Sequence, residues 1–153
     1  DYIGDLTIAV YRLCRSHERA GKLALPGGNE LTENIFNLQD LSQGIARDLA
    51  KGVSTRIFPG DQAMLSVVQL EPGSQSEVHS HPPEQWGVII AGSGVPIQDG
   101  VEHPETIDDF WRTPGDVPHA FRAGPDGAMA LDIFSPPRDE YRTAGTGVFA
   151  PDS

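Results

Sequence analysis

Between Gly73 and Gly92 the chain reads GSQSEVHSHPPEQWGVIIAG, and this stretch restricts the fold more than any other. It reads as extended chain from Glu77 to His81, a bend at Pro82-Pro83, and a strand from Trp86 to Ala91. Side chains alternate between faces along extended chain, so His79 and His81 point the same way, and Gln85 keeps their parity beyond the bend. The best candidate for a fourth donor is His119, which follows TPGDVP, where Pro114, Gly115 and Pro118 mark a tight turn entering a strand. Imidazole and amide-oxygen donors around an open position are what a catalytic divalent metal needs. These donors suit Ni, Zn, Fe, Mn or Co without choosing among them.

The rest of the chain supplies strands. Val53 to Phe58 ends at Pro59-Gly60-Asp61, and Ala63 to Glu71 closes on Pro72-Gly73. Met64 to Leu70 is more apolar than strict alternation gives, which predicts a strand covered on both sides. Val95 to Gln98 and Val101 to Glu102 flank Asp99-Gly100, a dipeptide favoured in two-residue hairpins because both positions tolerate positive φ. Phe110 to Thr113, Ala120 to Ala123 and Ala128 to Ser135 complete a set of short, turn-separated strands. The 17 glycines and 13 prolines spread along 153 residues fit that pattern better than a helical bundle. An all-β jelly roll or barrel is predicted, in one domain.

Two helical patterns precede the strands. Leu6, Ala9, Val10, Leu13 and Cys14 form one apolar stripe on a helix over Leu6 to Arg19, and Leu25-Pro26-Gly27-Gly28-Asn29 breaks it. Residues 1–40 are therefore expected to be a helical arm, either capping the barrel or reaching a second subunit, and 41–153 the main domain. A shorter helix is predicted over Asp40 to Lys51, from Leu41, Ile45 and Leu49 at spacing four and Gly52 placed to stop it.

A formal charge of −11 argues against nucleic acid or an anionic membrane as partner, because both need a basic footprint. An anionic small substrate stays compatible if a metal supplies local positive charge. The single cysteine forms no internal disulfide, in keeping with a cytoplasmic location, and no apolar run approaches a membrane span.

A second constellation is LDIFSPPRDEY, Leu131 to Tyr141. In a strand Asp132 and Phe134 share a face, and burying an acidic residue among apolar neighbours is costly unless it is paired or functional. A ligand cavity gives such a residue a use, with solvent as the alternative. Arg138, just after the stiff Pro136-Pro137 pair, has the planar fork to hold a carboxylate, or else pairs with Asp139 or Glu140 at the surface. The segment beyond reads as a loop running over the surface.

The Gly73 to Gly92 stretch resembles the first cupin motif, G-x5-H-x-H-x3-E-x6-G, with Gln85 in place of the acidic ligand. The second motif, G-x5-P-x-G-x2-H-x3-N, is matched more weakly by Asp108, Pro114, Asp116, His119 and Ala123, with both glycines and the asparagine replaced. HSHPPEQ followed by DIFSPPR is similar to the small single-domain cupins of the KdgF type, which act on unsaturated uronates from pectin and alginate. Trp86 stands where that family usually has a smaller aliphatic residue. The resemblance implies a jelly-roll or double-stranded β-helix barrel, a divalent metal on His79, His81, Gln85 and His119, and functional roles for Asp132, Phe134 and Arg138. It implies a small anionic sugar-like substrate and, since cupins are often dimers, a homodimer. The chemistry implied is opening of a 4,5-unsaturated uronate ring and conversion of its enol to a ketone, with Asp132 as acid/base and Phe134 against the sugar face.

Two other classes remain: a metal-dependent dioxygenase, and a non-catalytic sugar- or metabolite-binding cupin. A dimethylsulfoniopropionate lyase ranks lower, because such cupins use cavity tyrosines and Tyr2, Tyr11 and Tyr141 all fall outside the predicted strands.

Overall fold

The computed structural model describes residues 34–148. The expected helix over Leu6 to Arg19 and nearly all of the arm lie outside the described residues. From Phe36 onward the chain forms its own compact unit. Among the described residues nine strands follow in order: β1 Ile45–Ala50, β2 Val53–Pro59, β3 Met64–Leu70, β4 Glu84–Gln98, β5 Val101–Glu102, β6 Glu105–Thr106, β7 Phe110–Thr113, β8 His119–Ser135 and β9 Gly145–Thr146. A short 3-10 helix, Asp139–Arg142, lies between the last two. No helix among these residues is long and apolar enough to cross a membrane.

The strands pair in the order β5-β4-β8-β3-β2-β1-β9, with β6 and β7 also bonded to β4. The two long strands organise the fold. The first half of β4 lies between β7 and the end of β8, and its second half pairs with the start of β8, with register shifts between Ile89 and Ala91 and between Gly92 and Gly94. The extended segment before β4 returns to bridge the start of β8 at Gln75–Arg122 and His79–His119. The result is a jelly-roll β-barrel whose inner face carries Val53, Ile57, Met64, Val68, Leu70 and Phe134 as core. Asp99 and Gly100 form the hairpin expected of them, both at positive φ.

Two expectations are corrected. Asp40 to Lys51 is not a helix. The Asp40 carboxylate accepts bonds from the Ser42 backbone N–H at 3.1 Å and hydroxyl at 2.6 Å, making a turn, and β1 follows. Leu41, Ile45 and Leu49 at spacing four are also in phase on a strand, and Arg47, buried between the last two, breaks the apolar alternation that would have revealed it.

The segment after Pro137 is also not a surface loop. Arg138, Tyr141 and Val148 are buried. Arg47 holds this tail down, donating to the carbonyls of Glu140 at 3.1 Å, Thr146 at 3.0 Å and Gly147 at 2.8 Å. β9 then pairs in parallel with β1.

Candidate metal centre and its cavity

Cross-strand register sets the site. On the inner face, Thr113 of β7 lies opposite Gln85 of β4, Gln85 opposite Phe134 of β8, and Phe134 opposite Met64 of β3. The next row toward the core runs Trp111, Gly87, Asp132 and Ser66. His79 reaches the same end through its bridge to His119, and His81 follows two residues later.

The four glycine positions of the two motifs explain how the turns are made. Gly73 and Gly92 both have positive φ, at 67° and 75°. Asp108 and Asp116, standing where the second motif has glycine, adopt φ of 74° and 63°. Aspartate enters the left-handed region more readily than most residues, so the turn keeps its path without glycine. His119 is delivered to the barrel interior as a result.

His79, His81 and His119 bring ligand nitrogens within 4.8 Å of one another. Each ring points its Nδ1 at a backbone carbonyl: His79 to Glu77 at 2.9 Å, His81 to Pro83 at 2.8 Å, and His119 to Val117 at 2.8 Å. A carbonyl only accepts, so each Nδ1 carries hydrogen and each Nε2 of a neutral ring is a lone pair. Burial, as the largest influence, holds His79 and His81 down to about 4 and lowers His119 as well, with Arg138 adding to all three. The rings are neutral at pH 7.

The Gln85 Oε1 lies 3.2 Å from His81 Nε2 and 3.1 Å from His119 Nε2. With neutral, Nδ1-protonated rings these contacts set lone pair against lone pair. A cation among the donors removes that conflict, so the residues fit a divalent metal with four neutral protein ligands.

Asp132, Phe134 and Arg138 line the same cavity as His79, Gln85 and His119. Asp132 is half-buried because part of it faces the cavity, yet its Oδ1 has no partner. Burial pushes its carboxyl up to about 7, against a lowering hydrogen bond from Gln85 and the field of Arg138. Phe134 is core, edge-on to His81 at 5.4 Å and to Tyr141 at 5.8 Å. Arg138 is 2% exposed, and most of its fork is committed: Nε and Nη2 bind Glu140 at 2.8 Å and 2.6 Å, and Nη2 also meets the Val148 carbonyl. Only Nη1 is buried and unpartnered, so the wide carboxylate clamp expected of Arg138 is reduced to one donor.

Sequence reasoning missed three lining residues. Tyr141 is 2% exposed and packs under the Arg138 guanidinium, although it lies outside every strand. Trp111 lies over Gly87, where an added Cβ would meet its ring at 2.2 Å, and stacks on Phe121 at 5.5 Å. Thr113 is buried beside Gln85. Trp86, by contrast, faces outward and bonds Glu84 at 2.8 Å, so its bulk does not narrow the cavity. The cavity has about 50 Å³ of space, room for roughly four waters.

The three histidines and Gln85 all fall within residues 66–134, which match the family model described as a cupin domain. Residues 66–134 are thus similar to a cupin domain, over a little under half of the chain. The chain is 34% identical over 108 residues to the dimethylsulfoniopropionate lyase DddW of Ruegeria pomeroyi, covering 71% of this chain and 64% of the lyase. It is 33% identical over 91 residues to the oxalate decarboxylase OxdC of Bacillus subtilis, covering 56% of this chain and 24% of the decarboxylase. The chain thus spans less than two-thirds of the length of either relative. Among solved structures, the KdgF protein from Halomonas sp. superposes with a TM-score of 0.58 at 23% identity, over 62% of this chain and 88% of that one. An RmlC-like cupin from Shewanella frigidimarina does so with a TM-score of 0.61 at 23% identity, over 70% and 96%. At that identity the structural likeness speaks for the fold.

Proposed function

We propose that this chain is a metal-dependent enzyme acting on a small carboxylate by proton transfer, and that the reaction is a lyase cleavage of the dimethylsulfoniopropionate kind. The observation that carries the reading is the meeting, in one small cavity, of His79, Gln85 and His119 from the four-donor cluster with Asp132, whose carboxyl burial pushes up to about 7. When bound, the metal would supply undiminished positive charge and Lewis acidity at the cavity end, which favours placing a substrate's carboxylate group there. Tyr141 lines the same space, which removes the ground for ranking a lyase low. The 34% identity to a dimethylsulfoniopropionate lyase supports the same choice.

In this reading Asp132 takes a proton from the carbon next to the substrate carboxylate. The released pair forms a carbon–carbon double bond, the bond from the neighbouring carbon to sulfur breaks, and sulfur leaves with that bond's electrons. The products are acrylate, dimethyl sulfide and protonated Asp132. Arg138 lowers the cost of carboxylate in the cavity through its field and the unpartnered N–H groups of Nη1, while Phe134 and Tyr141 keep water from the reacting carbon.

Ketonisation of a 4,5-unsaturated uronate is the second reading. It is favoured by Asp132, Phe134 and Arg138, the DxFSPxR residues, all lining the cavity. It also needs only proton transfers. One experiment separates the two: metal-loaded and metal-stripped protein are given dimethylsulfoniopropionate, with dimethyl sulfide read by headspace chromatography, and unsaturated galacturonate, with loss of ultraviolet absorbance followed. Metal-dependent sulfide release is expected. Absorbance loss alone transfers the conclusion to the uronate, and neither signal rejects both.

A further inference from the structure

Thr113 ends β7 directly opposite Gln85, whose amide oxygen lies between the His81 and His119 nitrogens. Its side chain is 1% exposed, it lines the cavity, and its hydroxyl has no hydrogen-bond partner. A buried hydroxyl left unpaired costs on the order of 1–3 kcal/mol, which a valine of nearly the same shape avoids. Nothing in the barrel's packing calls for the oxygen.

Its surroundings indicate the use. Among the described residues four buried side-chain atoms lack partners, and three of them, Thr113 Oγ1, Asp132 Oδ1 and Arg138 Nη1, line this one cavity. Thr113 flanks Gln85 on the β7 side, while Phe134, with Arg138 at 5.5 Å from its ring, flanks Gln85 on the β8 side. Side chains directly opposite on paired strands have Cβ atoms about 5 Å apart, so the Thr113 hydroxyl borders the donor cluster. It is an unused hydrogen-bond donor in the cavity that His79, Gln85 and His119 line.

The geometry points to Thr113 as a substrate-positioning residue, whose hydroxyl donates to one oxygen of a substrate carboxylate while the other oxygen faces the four-donor cluster. Such a bond fixes the rotation of the carboxylate and so aims the adjacent C–H. The assignment rests on the carboxylate reading above.

The test uses the full chain reconstituted with Mn(II), its metal content counted, as wild type, Thr113→Val and Thr113→Ser. Oxalate and acrylate are titrated into each by calorimetry, and each apoprotein is melted. Wild type and the serine variant are expected to bind within a few fold of one another. The valine variant should bind about tenfold to a hundredfold more weakly, as loss of a hydrogen bond to a charged acceptor implies. It should also hold the same Mn(II) and melt at the same or a higher temperature. Valine-variant affinity equal to wild type overturns the assignment and leaves the carboxylate reading standing. Weaker binding accompanied by a lower melting temperature or lost Mn(II) marks a structural residue and overturns it too. Wild type that binds neither anion overturns both.

Discussion

The guanidinium carbon of Arg138 stands 4.1 Å from the ring centre of Tyr141, and this contact makes the C-terminal segment a wall of the cavity. Tyr141 is also core, edge-on to Phe134. Tyr141→Ala should therefore cost about 3–5 kcal/mol in urea unfolding, the range for removing a large buried ring. Tyr141→Phe keeps the packing and should stay within about 1 kcal/mol of wild type. Equal losses in both variants would put the energy in the hydroxyl instead.

Arg47 is the second hold on that wall. Replacing it with Met keeps much of the side chain's bulk but removes the donors to Glu140, Thr146 and Gly147. A loss of about 3 kcal/mol is expected, together with new protease cleavage between residues 139 and 148. A variant as resistant as wild type would show that β9 pairing alone secures the tail.

The donor cluster makes a prediction about charge. Gln85→Glu adds a carboxylate to a neutral ligand set and should slow metal loss to a chelator, measured by elemental analysis after dialysis. His119→Ala should drop metal content to near zero at the same chelator concentration, because it removes one of three converging imidazoles. Full occupancy in the alanine variant would move the metal elsewhere.

Apoprotein stability should depend on pH in two opposed ways. Asp132 has its carboxyl raised from 3.8 to about 7, so the folded state holds a proton that the unfolded state releases. Its contribution is fully present below about 3.8 and is lost as pH rises toward 7. His79 and His81 are lowered from 6.5 to about 4, so theirs is fully present above 6.5 and lost as pH falls toward 4. Asp132→Asn removes the first effect. The variant should gain on wild type steadily between pH 4 and 7, by on the order of 3–4 kcal/mol at the top, and its own stability should rise across the same window. A constant offset would mean that Asp132 titrates normally.

Gly87→Ala tests the Trp111 wall. A Cβ at 2.2 Å from the indole forces the ring away, so near-ultraviolet circular dichroism should change and stability fall by about 1–3 kcal/mol. An unchanged spectrum would place Trp111 outside the cavity.

The strand pattern, the Asp99-Gly100 hairpin and the inward parity of His79, His81 and Gln85 could be read from local sequence, because each depends on alternation or on turn residues. β1 could not: spacing four fits helix and strand alike, and Arg47 hides the apolar alternation by being a buried cation. Tyr141 was missed for a related reason. RDEYR reads as solvated charge, and only the fold reveals that Arg138 and Glu140 pair beneath the surface and bring the tyrosine inward. Thr113 and Trp111 belong to the site through register with Gln85 and Gly87, a relation between strands that no single stretch expresses.

The three histidines take their orientation from carbonyls two residues away along their own backbone, at Glu77, Pro83 and Val117. Substituting a neighbouring side chain therefore does not delete those acceptors, whereas Thr113, Trp111, Asp132 and Tyr141 are among the residues that line the cavity. Ligand preference can drift in such a barrel while the metal-facing tautomers stay fixed. Exchanging wall residues between relatives should thus transplant substrate choice without rebuilding the ion site.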